Sequence, residues 1–397
     1  MEQNLNVSDT FASIHPAIVI DNGSCMMKAG YAGEDFPRAI TPNIVGTTRS
    51  EGSDIPFQHG PFDTTVPANQ EILTYAGRLA KINENVLDIV YPMNNGLITD
   101  WDAMEKLWCY IFYEELVTPP ENFNILHTES LLNSMSCREK LVEIMFEKFN
   151  VPNTTSVPKS VLPLYSHGKV TGLVVDSGYE YTHVVPIEGG YPVAHGVRNM
   201  PIGGWHVTQY MKQLINERGY DWKTSKDIDV VTIIKEKFGY CSLDVEKDQA
   251  MFTEDMEQNY TLPDGMIFKV KSEKFRGPEI MFNPALFNIE SHYGGIHDLI
   301  YKSCSDCRIE EQPNLYGNIV LAGGNTLFPH LSHRLKNMLP NAPVEVVITA
   351  NPERKYSTWV GGSILASLST FDQVWISSED YKENGPRIVY SKNYYNL

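Results

Sequence analysis

Two aspartates stand at the ends of apolar runs, each followed by small polar residues and a glycine. Asp21 closes Ala17-Ile18-Val19-Ile20-Asp21 and leads into Asn22-Gly23-Ser24. Asp176 closes Gly172-Leu173-Val174-Val175-Asp176 and leads into Ser177-Gly178, about one domain length later. A third apolar run, Asn318-Ile319-Val320-Leu321-Ala322, ends in Gly323-Gly324-Asn325-Thr326. These residue types suit a magnesium–polyphosphate ligand. Glycine turns let backbone N–H groups converge on phosphate oxygens. Asp21 and Asp176 would face the ion mostly through water, because magnesium dehydrates reluctantly. Lys28, a few residues after the first turn, could neutralise a terminal phosphate. One such turn is also what a plain hairpin carries; two of them with a Gly-Gly turn form a more specific pattern.

The apolar runs read as buried strands, and helical patterns alternate with them, which points to an α/β architecture. Trp101, Met104, Trp108, Ile111 and Phe112 recur at helical spacing. Ser136-Cys137-Arg138-Glu139 reads as a capping box before Leu141, Met145 and Phe149. A further helix is expected from Ser225 to Phe238, and the pair Gly361-Gly362 is expected to open an apolar helix ending near Leu368. Residues 43 to about 68 are rich in Thr, Ser, Asp, Pro and Gly and read as an irregular, exposed excursion. Residues 1–16 read as a mobile tail. The repeated strand–aspartate–glycine signature predicts two similar halves facing each other across a cleft.

The 397 residues carry 32 basic and 49 acidic side chains, a net charge of −17, with 42 % hydrophobic and 20 % charged residues. That composition is ordinary for a globular chain, and the length prior is two or three domains. No apolar run approaches the ~18 residues that span a bilayer. The start lacks a basic and apolar leader, so a secretory signal is not expected. Phosphate repulsion argues against general nucleic-acid binding, and direct sequence-specific binding is not expected either. Six cysteines make no disulfide scaffold, and the single CxxC, Cys304-Ser305-Asp306-Cys307, has no second pair to complete a zinc site.

The chain resembles actin and the actin-related proteins. The resemblance rests on Asp21-Asn22-Gly23-Ser24 with Lys28-Ala29-Gly30-Tyr31-Ala32-Gly33, on Trp101-Asp102-Ala103-Met104-Glu105-Lys106, on Ile144-Met145-Phe146-Glu147 and on Leu262-Pro263-Asp264-Gly265. Its most specific part is Pro352-Glu353-Arg354-Lys355-Tyr356-Ser357, continuing through Trp359 to Leu368. Sugar kinases and heat-shock ATPase domains share the two phosphate turns but not this last block. The resemblance implies an actin-like fold: two duplicated ribonuclease-H-like domains around a nucleotide cleft, in four subdomains. A small outer domain would comprise 17–166 and 357–397, with 43–91 inserted. A large inner domain would comprise 167–356, with 203–291 inserted.

By the same resemblance, Gly23, Ser24, Lys28, Ser177 and Gly178 would hold the phosphates of ATP or ADP. Asp21 and Asp176 would organise hydrated Mg2+. Gly204, Lys235 and Glu236 would lie near the ribose, and Gly324, Phe328 and Lys355 around the adenine. Without the resemblance, Lys235 and Glu236 would read as a solvated helix face and Phe328 as core.

The departures concern hydrolysis. A glutamine that in actins positions the attacking water is replaced by Lys159, which has three donors and no acceptor. Pro158 beside it would disturb a helix unless it lay in the first turn. Tyr179 replaces an aspartate near that water, and Glu180 a glycine; His183 still matches the family's histidine. Cys25 replaces a glycine and is expected to be a buried, inert thiol, with oxidation as the alternative.

The expected function is an ATP-binding structural or scaffold protein of the cytoskeleton or of a larger complex, cytoplasmic, with a nuclear or axonemal complex as alternatives, and with slow or absent hydrolysis. A conventional filament-forming actin ATPase is the runner-up, and a small-molecule kinase a third reading. Partners would be other actin-like subunits or a dedicated complex, reached through Tyr165, Gly168, Ile364, Leu365 and Leu368, unless those residues are simply core. The 43–91 region lacks actin's glycine-methionine loop, with Pro56-Phe57 and Pro61-Phe62 its only apolar candidates; Asn95 and Trp205-His206 are further departures.

Overall fold

A computed structural model of the chain describes residues 16–48, 73–131, 133–392 and Tyr394. It divides into two compact units. One is formed by the chain up to Asn22, by Met26–Pro158 and by Gly362–Leu397, the other by Gly23–Cys25 and Lys159–Gly361.

In the first unit, Ala17–Asp21 pairs antiparallel with Met26–Tyr31 and parallel with Asn124–Glu129. Ala39–Pro42 extends one edge; Asn153–Pro158 and Ile376–Ser377 extend the other. The parallel pairings need long crossovers, which the helices Trp101–Tyr110 and Met135–Glu147 supply. Trp108, Met104, Leu107, Phe112 and Met145 lie wholly inside the core they form with Ile18, Ile20 and Ile125. Each such side chain contributes about 1.5–3 kcal/mol by burial.

The second unit repeats the pattern. Gly172–Ser177 pairs antiparallel with Thr182–Glu188 and parallel with Ile319–Ala322. Helices Gly204–Asn216, Ser225–Phe238 and Ile296–Ser305 pack their apolar faces into one core with Leu173, Val175, Val184 and Leu321. The repeat extends to register: Lys28 lies opposite Asp21, and His183 opposite Asp176.

Several local expectations change. The helix Met135–Glu147 is capped by Ser134, whose hydroxyl accepts from the Cys137 N–H at 3.2 Å, so Ser136 is not the cap. Gly361 and Gly362 lie inside the helix Ser357–Ala366 instead of opening it. Close packing is the reason: a Cβ on Gly361 would strike the Leu162 carbonyl. Pro158 ends a strand and disturbs no helix, because a terminal strand position needs no N–H of its own. Residues 43–48 are not an exposed excursion: Asn43, Ile44 and Val45 are buried, and Val45–Thr48 pairs with Thr74–Ala76 and Leu87–Val90. Pro56-Phe57 and Pro61-Phe62 lie outside the described residues, as does the expected tail before Pro16.

Candidate functional site

At the end of the Ala17–Asp21 strand, Asp21 is buried and its carboxylate is held from two sides. Lys28 Nζ lies 2.6 Å from one oxygen, and the Thr128 hydroxyl donates to the other at 2.8 Å. Thr128 also accepts from the Asn22 N–H at 3.1 Å, so the strand end and the first turn share one anchor. The Asn22 side chain donates to His127 Nδ1 at 3.3 Å and to the Thr128 carbonyl at 3.2 Å, and accepts from Trp108 Nε1 at 3.2 Å. This leaves the His127 proton on Nε2, facing Met145 Sδ at 3.3 Å. Burial pushes the His127 imidazole down to about 3, so it stays neutral at any physiological pH.

Gly23 and Ser24 lie in the turn that follows, part-buried, and Cys25 is exposed. The expectation of a buried Cys25 thiol is therefore corrected. Cys25 is a residue of the turn itself, before the strand Met26–Tyr31 carries the chain back into the core.

In the second unit, Asp176 and Ser177 are buried at the strand end. The Ser177 and Thr182 hydroxyls lie 2.6 Å apart, and Asn325 Nδ2 donates to Ser177 Oγ at 2.9 Å. Asn325 Oδ1 is buried with no hydrogen-bond partner. Gly178 accepts from the Gly204 N–H at 2.9 Å, and Lys235 Nζ donates to the Gly204 carbonyl at 3.0 Å and to Thr208 at 2.9 Å. Lys235 is thus a buried side chain and not a solvated helix face, and burial lowers its pKa; Glu236 is exposed. Arg354 donates to the Thr326 hydroxyl and carbonyl, which pins the Gly323–Thr326 turn. Phe328 is buried in the core against Gly239.

The glycines at the candidate site in the second unit fall into two groups. Gly323 has φ +84°, and a Cβ there would strike Ser177, so conformation and packing both demand glycine. Gly178, Gly204 and Gly324 have no left-handed backbone. A Cβ on them would come no nearer than 3.8, 3.5 and 3.9 Å to any neighbouring residue. Neither strain nor packing within the protein requires glycine at these three positions, and an approaching ligand would.

Lys159 lies in the turn after Pro158, before the short helix Leu162–Tyr165, so it is not on a helix. His183 is held down to about 3, first by burial and then by the positive charge of Lys159. Tyr181 stacks near its ring at 5.9 Å. Tyr179 is 36 % exposed and contacts the Trp205 ring at 5.7 Å.

The surface residues also separate. Ile364 and Leu368 are 40 % and 47 % exposed, so neither is core, whereas Tyr165 is partly buried on its own unit. Cys304 and Cys307 are buried thiols pushed up to about 12 and about 11 by burial, and no group of three or more metal-ligating side chains occurs among the described residues. No helix among the described residues is long and apolar enough to cross a membrane. The residues that sequence reasoning missed are Thr128, His127, Asn325 and Arg354. Asn325 adjoins the quoted glycine pair, but only register reveals Thr128.

The actin sequence profile matches residues 13–394. The chain belongs to the actin family. Its mixed α/β architecture is the actin-like fold, and the match covers both units together with the late block Pro352–Leu368. Actin-like proteins generally bind ATP or ADP with Mg2+ and associate with other actin-like subunits or complexes.

Proposed function

We propose that this actin-family protein binds ATP or ADP with Mg2+ as a largely structural ligand, hydrolyses it slowly or not at all, and serves as a subunit of the cytoskeleton or of a larger complex. The residues fit the nucleotide. Gly178, Gly204 and Gly324 leave backbone open for close approach, and Asn325 Oδ1 is a buried acceptor without a partner. Ser24 and Lys28, with Gly23, and Ser177 with Gly178 would take phosphates. Gly204, Lys235 and Glu236 would take the ribose, and Gly324, Phe328 and Lys355 the adenine. Asp21 and Asp176 would hold hydrated Mg2+, which when bound neutralises phosphate charge.

One observation carries the slow hydrolysis: His183 is deeply buried, and the charge of Lys159 adds to what burial does. A histidine held down to about 3 is a weak base at neutral pH, far from the range where proton transfer is efficient. Lys159 cannot itself accept from water. Neither group would therefore be an efficient acceptor for the proton of an attacking water, and Tyr179 stands where the family has a carboxylate. Phosphoryl transfer depends on positioning and charge stabilisation, so the rate should fall by orders of magnitude.

Purified protein should release mainly ATP when denatured, and loaded Mg·ATP should yield no phosphate over hours. Phosphate release at an actin-like rate overturns the reading. Sedimentation after adding salt and Mg2+ separates it from a filament-forming ATPase, which would pellet. Ile364 and Leu368, exposed and apolar, support docking to partner subunits.

A further inference from the structure

Trp205 has no role in the chemistry described so far and Tyr179 enters it only as a lost carboxylate, yet the two join segments that the nucleotide reading uses for different parts of one ligand. Gly178 precedes Tyr179 in the phosphate turn, and Gly204 precedes Trp205 at the start of the helix Gly204–Asn216. The segments are laced by two consecutive backbone bonds: the Gly204 N–H donates to the Gly178 carbonyl at 2.9 Å, and the Trp205 N–H to the Tyr179 carbonyl at 2.8 Å. They lie so close that a Cβ on Gly203 would strike the Tyr179 carbonyl. The His206 ring accepts from the Gly203 N–H at 3.2 Å and fixes the helix start. Over this junction the Tyr179 and Trp205 rings meet at 5.7 Å with a tilt of 46°, a favourable aromatic geometry.

We infer that Tyr179 and Trp205 are positioning residues for bound nucleotide: their ring contact holds the Gly178 turn and the Gly204 helix start as one rigid cradle and slows nucleotide release. This rests on the nucleotide reading above. Neither ring need touch the ligand. They act through Gly178 and Gly204, where a Cβ would meet only ordinary contacts at 3.8 and 3.5 Å. A cradle ordered before binding spares the ligand that ordering cost, and the gain falls mainly on the dissociation rate. A pair of this kind is worth roughly two- to tenfold in an equilibrium constant.

The test uses full-length protein and a fluorescent ATP analogue with Mg2+, displaced by excess ATP in stopped flow. Tyr179→Ala should speed dissociation about two- to tenfold with association nearly unchanged, and Tyr179→Phe should restore the wild-type rate, because the contact is between rings. Trp205→Ala should match Tyr179→Ala, and the double variant should be no faster than either alone. Circular dichroism and thermal unfolding confirm that each variant is folded. If wild-type protein binds no nucleotide, the nucleotide reading fails. If it binds and Tyr179→Ala dissociates at the wild-type rate, or the two substitutions add independently, the positioning role fails while that reading stands.

Discussion

At the scale of single residues, the surroundings of one histidine matter more than the net charge of the chain. Burial first, and the Lys159 charge after it, keep His183 neutral and weakly basic. Replacing Lys159 by glutamine removes the cation and supplies an amide oxygen. Lys159→Gln should raise phosphate release at least about tenfold and lift the His183 titration, which NMR of its ring protons follows; an unchanged rate would place the block at Tyr179. His127 makes a second residue-scale prediction. Between about pH 3 and 6.5 the native imidazole stays neutral while the unfolded one takes a proton. Stability is therefore lost as pH falls below about 6.5, by about 1.4 kcal/mol per pH unit for this group, and His127→Leu should flatten that dependence in urea unfolding at pH 7 and pH 5. His127 was not legible as anything special in the sequence. Nothing local along the chain marks it, and only the pairing of Asn124–Glu129 with Ala17–Asp21 brings it to Asn22.

At the scale of elements, glycines distinguish packing from ligand approach. Gly361, in mid-helix, lets Ser357–Ala366 lie against the Leu162 carbonyl, so Gly361→Ala should cost about 1–3 kcal/mol in thermal or denaturant unfolding. Gly324→Ala has room, with Lys355 3.9 Å away, and should leave stability within about 0.5 kcal/mol while weakening ATP binding measured by calorimetry. Equal effects of both substitutions on stability would undo the distinction. The strands Ala17–Asp21, Gly172–Ser177 and Ile319–Ala322 and the helix Ser225–Phe238 were legible because apolar runs, glycines and helical periodicity are local signals. The cap at Ser134 and the interior position of Gly361 were not. Competing serines offer the same cap chemistry, and a mid-helix glycine pair looks like a helix start until its neighbour is known.

At the scale of the whole molecule, a net charge of −17 is compatible with the proposed phosphate site because that site would be local, made of turns and Lys28. A ligand that binds only the native protein adds stability by mass action. Mg·ATP at a hundred times its dissociation constant should add about 2.7 kcal/mol, and stripping nucleotide with a chelator and a phosphatase should lower the melting temperature accordingly. A melting temperature indifferent to nucleotide would remove ATP as a structural ligand. The two units share one topology, a hairpin with a parallel third strand, which the doubled Asp-x-Gly signature had announced.

Family, strand ends and the departures at Lys159 and Tyr179 were set by the sequence alone, since motif residues and strand periodicity are local along the chain. Only tertiary structure decided which groups meet: Thr128 and Lys28 on Asp21, Lys159 acting on His183, and Tyr179 against Trp205. Those meetings depend on strand register and on long crossovers, and partners far apart in sequence carry no mark of each other until the sheets form.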